Sequence, residues 1–116
     1  MTVTIEAFFA IWGGDDPQAI LVALSPLLAD PVSYSDPRSD VLTSAAALAD
    51  YLAMFGRGMP GASAKIVTIN THHGAARVTV DFLMGGKAMM RGQYFVDLAA
   101  DGRLARITGF TGTGES

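Results

Sequence analysis

Cysteine is absent from the chain. That excludes disulfides and thiolate metal sites and suits a reducing compartment, so a cytoplasmic location is expected. Charge is scarce as well. Only 16% of the 116 residues are charged, eight Lys and Arg against eleven Asp and Glu, giving a net charge of −3 with no basic cluster. Electrostatic binding to nucleic acid or to an anionic membrane is not expected of such a surface. Long apolar runs are missing too. The longest, Ala19 to Ala29, is interrupted by Ser25-Pro26 and falls short of a membrane span. The opening MTVTIEAFFAIW has no positively charged start and carries Glu6 within its apolar run, so it reads as a helix and not as a signal peptide. Internal repeats, linkers and low-complexity segments are absent, as are a Gly-x-Ser-x-Gly elbow and an HExxH motif.

What the chain has in plenty is apolar side chain, at 50% of residues. Its length fits one domain, residues 1–116, with a single modest core. A domain this small has much surface for its volume, so the surplus apolar residues point to an oligomer interface or an apolar cavity. Ile5, Phe8, Phe9 and Trp12 recur at helical spacing, and Gly13-Gly14 ends that helix. Asp15-Asp16-Pro17 supplies a cap and a first-turn proline for a second helix carrying Ile20, Leu21, Leu24 and Leu28, stepped at Pro26. Val32–Ser35 reads as a short strand. Thr43 caps a third helix with Leu48, Tyr51, Leu52 and Phe55 on one face, stopped by Gly56 and Gly58. From there the texture alternates in four β-branched segments: Ala64–Thr71, Arg77–Leu83, Met89–Leu98 and Arg103–Phe110. His73-Gly74, Gly85-Gly86 and Asp101-Gly102 offer the hairpin turns between them. Helices first and an antiparallel meander second define an α+β fold, with the helices on one face of a curved sheet.

The most informative stretch is LLADPVSYSDPRSD, residues 27–40, where Asp36 precedes a proline in one of the most apolar parts of the chain. A carboxylate walled in by apolar side chains is poorly hydrated, which suits it to shuttle protons near neutrality. Ser-Asp-Pro is equally an ordinary turn in which the aspartate bonds its own backbone. In the third β segment Met90, Gly92, Tyr94, Val96 and Leu98 share the apolar face, assigned to the pocket side, and Gly92 is a candidate bend. Arg77, Thr79 and Asp81 form a polar face suited to solvent or to a dimer contact. His72-His73 precede a turn glycine, and neighbours on a strand point to opposite faces, so no metal site is assigned to them. The glycines of GFTGTGES lead into no helix and read as a frayed tail, not a phosphate loop.

The order helix–helix–strand–helix followed by four strands resembles the nuclear transport factor 2-like superfamily, most closely its SnoaL-like branch. The resemblance spans nearly the whole chain and rests on LLADPVSYSDP, AALADYLAMF and QYFVDLAADGRLARITGF. It implies a cone-shaped α+β barrel: three N-terminal helices packed on a strongly curved, mostly antiparallel sheet, with a pocket open at one end. It also implies homodimers formed through the sheets. In the ketosteroid isomerases of this superfamily a catalytic aspartate lies before proline just after the first strand, and Tyr34-Ser35-Asp36-Pro37 matches that pattern. By the same resemblance the phenol those enzymes carry on the first helix falls at Phe8 or Phe9, which have no hydroxyl, and the late-strand acid falls near Tyr94. The Asp–Arg–Asp set of limonene-type epoxide hydrolases is broken as well, with Asp81 kept but Thr79 and Gly109 in the other two places.

The resemblance thus implies a SnoaL-like protein with an apolar pocket for a small hydrophobic or cyclic molecule. Asp36 and Tyr94 would carry any catalysis, which would need no cofactor and no metal. Phe8, Phe9, Trp12, Tyr34, Phe55, Met90 and Val96 would line the ligand site. The alternative is a non-enzymatic binding or interaction module of the same fold, with Asp36 as a structural group or a ligand anchor.

Overall fold

Asp16 starts the second helix as the sequence predicts: its carboxylate accepts from the Gln18 amide at 3.0 Å, and Pro17 occupies the first helical position. The computed structural model describes residues 3–112. Its helices are α1 (Val3–Ala10), α2 (Pro17–Leu24) and α3 (Ala45–Gly58), and its strands are β1 (Leu28–Ser35), β2 (Ala62–His72), β3 (Ala75–Met84), β4 (Lys87–Leu98) and β5 (Leu104–Thr111). Pro26 produces the expected step, since α2 stops at Leu24 and a 3-10 turn, Ser25–Leu27, leads into β1.

Two expectations for α3 need correction. Its cap is Ser44, not Thr43; the Ser44 hydroxyl accepts from the Ala47 amide at 3.1 Å. An N-cap hydroxyl serves the amide three residues on, and Ser44 is the residue directly before the first helical one. Gly56, moreover, does not stop the helix. It lies inside α3, buried against the Gly13–Gly14 loop, where an added Cβ would sit 1.9 Å from the Gly14 carbonyl oxygen. On the loop's other side Gly13, at φ +105, faces the Ala62 carbonyl oxygen, which a Cβ would approach to 2.0 Å. The loop after α1 therefore threads between α3 and the start of β2 at backbone contact.

The sheet order is β1-β5-β4-β3-β2, with β1 parallel to β5 and every other pairing antiparallel. β1 and β2 form the edges of this mostly antiparallel sheet, and Leu42 bridges back to Tyr34 on the β1 edge. His73-Gly74 and Gly85-Gly86 turn with φ positive at both residues, as a two-residue hairpin with right-handed strand twist requires. The left-handed backbone of His73 swings its ring back, leaving the Nδ1 atoms of His72 and His73 3.2 Å apart on the surface, where opposite faces were expected. Among the described residues no group of three His, Cys, Asp or Glu side chains is placed to hold a metal.

Gly92 marks a close approach and not a bulge. A Cβ there would come within 2.8 Å of the Phe110 carbonyl oxygen, whereas β3–β4 register slips between Phe82 and Leu83. Alternation along β4 is as read: Gly92, Tyr94 and Val96 are buried while Arg91, Phe95 and Asp97 are exposed. The core gathers Ile5, Phe8 and Phe9 from α1, Leu24 from α2, Leu48 and Leu52 from α3, and Val78, Val80 and Ile107 from the sheet. β5 runs one residue past the expected end, to Thr111, and residues 113–116 of the expected tail lie outside the described part. No helix among the described residues is long and apolar enough to cross a membrane.

Candidate functional site

Where β1 ends, the chain turns at Asp36-Pro37, and the turn is the Asx type that the sequence allows. The Arg38 amide donates to Asp36 Oδ1 at 2.8 Å, and the Asp36 amide donates to Ser39 Oγ at 3.0 Å. The same carboxylate also faces inward. Tyr34 Oη donates to Oδ2 at 2.7 Å, and Tyr51 Oη bridges both oxygens at 2.9 and 2.7 Å. The turn reading and the inward-facing reading are therefore one geometry. Tyr34 reaches Asp36 because residues two apart on a strand share a face. Tyr51 reaches it from α3, on the helix face that also buries Leu48 and Leu52.

Tyr94 stands beside this set and acts on the Tyr34 phenol as a near neighbour. Its ring occupies space that Gly109 leaves free on β5, where a Cβ would lie 2.6 Å from Tyr94 Cε2. Burial, foremost, pushes all three tyrosine hydroxyls well above their ordinary range; the hydrogen bonds to the Asp36 carboxylate add to the effect for Tyr34 and Tyr51. These phenols are therefore protonated near neutral pH.

Next to this network lies a cavity of about 60 Å³ lined by Trp12, Asp36, Arg38, Tyr51, Phe55, Phe82, Met90, Tyr94 and Phe110, with Pro37, Gly92 and Thr111. That is far below the roughly 300 Å³ at which pockets for drug-sized molecules begin. Of the residues singled out in the sequence, Trp12, Asp36, Phe55, Met90 and Tyr94 stand on its wall. Phe8, Phe9, Tyr34 and Val96 do not; they lie behind it in the core, at most 3% exposed. Helix α1 turns its phenylalanines onto the sheet, so Phe9 meets the Tyr94 ring at 5.0 Å edge-on and only Trp12, beyond the helix end, reaches the cavity. Trp12 packs in turn on Phe55 at 5.1 Å and Phe82 at 5.3 Å.

Sequence reasoning passed over Tyr51, Phe82 and Arg38; Phe110 borders the cavity from β5, while its ring packs on Phe95 of the outer face. Tyr51 was visible on the apolar face of its helix, and Phe82 continues the inward alternation of Val78 and Val80. Arg38 gave no signal; its guanidinium donates to Met90 Sδ at 3.8 Å at the cavity mouth. Asp81 lies on the opposite face of the sheet, where Arg91 grips it at 2.7 and 3.1 Å and holds its carboxyl below the usual range.

A five-stranded sheet covered on one face by three helices is the plan of the SnoaL-like fold. The SnoaL-like domain family matches residues 5–107, and the chain belongs to it. No curated protein sequence matches. Among solved structures, a candidate isomerase of the SnoaL-like family from Agrobacterium tumefaciens strain C58 superposes with TM-score 0.85 at 19% identity, over 95% of each chain. A hypothetical protein of ketosteroid isomerase-like fold from Catenulispora acidiphila, solved with trimethylamine, gives TM-score 0.74 at 13% identity, over 92% of this chain and 83% of the other. A nuclear transport factor 2-like protein of unknown function from Cytophaga hutchinsonii gives 0.69 at 10%, over 94% and 87%. At these identities the likeness is one of fold.

Proposed function

We propose that the chain binds a small hydrophobic or cyclic molecule beside Asp36 and performs cofactor-independent acid–base chemistry on it: isomerisation, cyclisation or dehydration through an enol. The observation that carries this reading is a single carboxylate, oriented by two phenols, at the wall of a cavity that is otherwise largely aromatic. Asp36 would take a proton from carbon and return it. Tyr34 and Tyr51, protonated near neutrality, hold the carboxylate in place and do not exchange charge with it. The small cavity favours a small substrate, and trimethylamine, held by one protein of this fold, is a molecule of that order of size. The candidate isomerase of the same family is consistent with the reaction class.

The test is hydrogen–deuterium exchange at the α-carbon of small cyclic ketones in heavy water, followed by NMR. The native chain should accelerate exchange over buffer, and Asp36→Asn should lower that acceleration by about 100-fold or more. Equal exchange by the two proteins would remove Asp36 from the chemistry.

A second reading is favoured by one observation, namely that three donors already occupy the carboxylate. In that reading the chain is a binding module and Asp36 fixes the turn. Ligand binding without any exchange, in the native chain as in Asp36→Asn, would select it.

We also infer a homodimer formed through the outer face of the sheet, in the cytoplasm, with neither nucleic acid nor membrane as partner. Met89, Phe95 and Phe110 are 58%, 43% and 54% exposed there, and the two phenylalanine rings touch at 5.8 Å. Sedimentation equilibrium should return twice the mass of one chain, and Phe95→Lys should return the monomer. A native monomer at micromolar concentration would remove the interface.

A further inference from the structure

Arg38 is exposed on the wall of the Asp36 cavity, and its guanidinium has a poor partner. It donates to Met90 Sδ at 3.8 Å, and among the described residues it makes no ion pair. A thioether is a weak acceptor, whereas a guanidinium is a planar fork suited to two parallel bonds to one carboxylate. Arg91, on the opposite face of the sheet, shows what such a group does beside a carboxylate: it grips Asp81 at 2.7 and 3.1 Å.

Asp36, two residues from Arg38, cannot be that partner. A carboxylate offers about four lone-pair sites. Asp36 receives Tyr34 Oη at 2.7 Å, Tyr51 Oη at 2.9 and 2.7 Å, and the Arg38 amide at 2.8 Å, and these fill them. The turn thus fixes the Arg38 backbone and sends its guanidinium elsewhere, to Met90 on β4. The charge stays close to the site all the same. Burial raises the Tyr51 and Tyr94 hydroxyls most, and the positive charge of Arg38 acts against that rise at both.

Size points the same way. The cavity holds about 60 Å³, and one water takes up roughly 30 Å³ of liquid. There is room for the reacting end of a molecule and little more, so the rest of a ligand stays at the mouth, where the guanidinium stands.

We propose that Arg38 seats a carboxylate of the ligand at the cavity mouth, which makes the ligand a small monocarboxylic acid whose carbonyl-bearing body enters beside Asp36. The carboxylate is a handle and takes no part in the reaction; Arg38 sets specificity, and proton transfer stays with Asp36. The guanidinium also offsets the repulsion between the ligand carboxylate and that of Asp36. The assignment rests on the reading of this cavity as the ligand site and narrows its substrate class to acids.

The experiment uses the native chain and two probes of one shape, 3-oxocyclopentane-1-carboxylate and its carboxamide. They differ in charge, and both carry exchangeable hydrogens beside the ketone. The carboxylate should bind about 10- to 100-fold tighter than the amide, the worth of charge-assisted hydrogen bonds. It should also shift the Met90 methyl resonance as the guanidinium leaves Sδ, and the preference should shrink as salt is raised. In Arg38→Gln, checked for its native fold by circular dichroism, the two probes should bind alike. Arg38→Lys, which keeps the charge but not the fork, should restore part of the preference.

Equal binding of acid and amide to the native chain would overturn the assignment, as would a preference for the acid that survives in Arg38→Gln. If Asp36-dependent exchange at the ketone persisted in either case, the acid–base reading would stand and Arg38 alone would fall. A preference lost in Arg38→Gln, with no exchange in any variant, would keep the carboxylate seat and overturn the acid–base reading instead. Binding of neither probe would overturn both.

Discussion

Replacing Gly56 by alanine should cost the fold about 3 kcal/mol or more, a large part of the stability of a domain this size. The new Cβ would lie 1.9 Å from the Gly14 carbonyl oxygen and 2.6 Å from its carbon. Both are backbone atoms, so no flexible side chain can yield. The loop that carries them cannot retreat either, because Gly13 on its far side already touches the Ala62 carbonyl. Alanine is the better helix former by roughly 1 kcal/mol, which offsets only part of the clash. Gly58, on the same helix, has nothing within 4 Å of its notional Cβ. Gly58→Ala is thus the matched control and should leave stability unchanged or slightly raised. Urea unfolding of the two variants measures the difference, and equal midpoints would show that α3 does not rest on the loop.

The second large effect concerns alkaline pH. The chain has three tyrosines: Tyr34 and Tyr51 bond Asp36, and Tyr94 is buried beside them. Their hydroxyls ionise well above the ordinary value of 10.0 in the fold, chiefly through burial. An unfolded chain would release those protons near that ordinary value. Above it the native state holds more protons than the unfolded one, so stability is complete below about pH 10 and falls as pH rises further. Tyrosinate absorbance should therefore stay flat while the protein remains folded. It should then rise in one step for all three residues, together with the loss of far-ultraviolet ellipticity. A gradual rise near pH 10 with ellipticity intact would mean that the phenols are solvated and that the network does not hold.

Local chemistry made much of the fold legible. Asp16-Pro17 states where a helix begins, His73-Gly74 and Gly85-Gly86 state where strands reverse, and alternation along β4 states which side chains go inward. Each signal depends on a few neighbouring residues. Two departures have different causes, one a partner remote in sequence and one a backbone conformation that the residue type does not announce. Gly56 looks like a stop until the Gly14 carbonyl is seen against it, and the His72 and His73 rings look divergent until the left-handed turn folds one back. The candidate site divides in the same way. The carboxylate before proline was readable, whereas its hydrogen bond from Tyr51, 15 residues away on a helix, was not. Periodicity says that Phe8 and Phe9 are buried. It does not say whether a core or a cavity buries them.

The single tryptophan has an optical consequence. Its ring centre lies 6.3 Å from that of Tyr94 and 6.4 Å from that of Tyr34, which is itself 5.8 Å from Tyr51. Excitation absorbed by any of these phenols passes to the indole by resonance transfer at such distances, so the folded chain emits as one chromophore. That chromophore is part of the cavity wall, and the fluorescence of the unlabelled protein is a direct gauge of what enters.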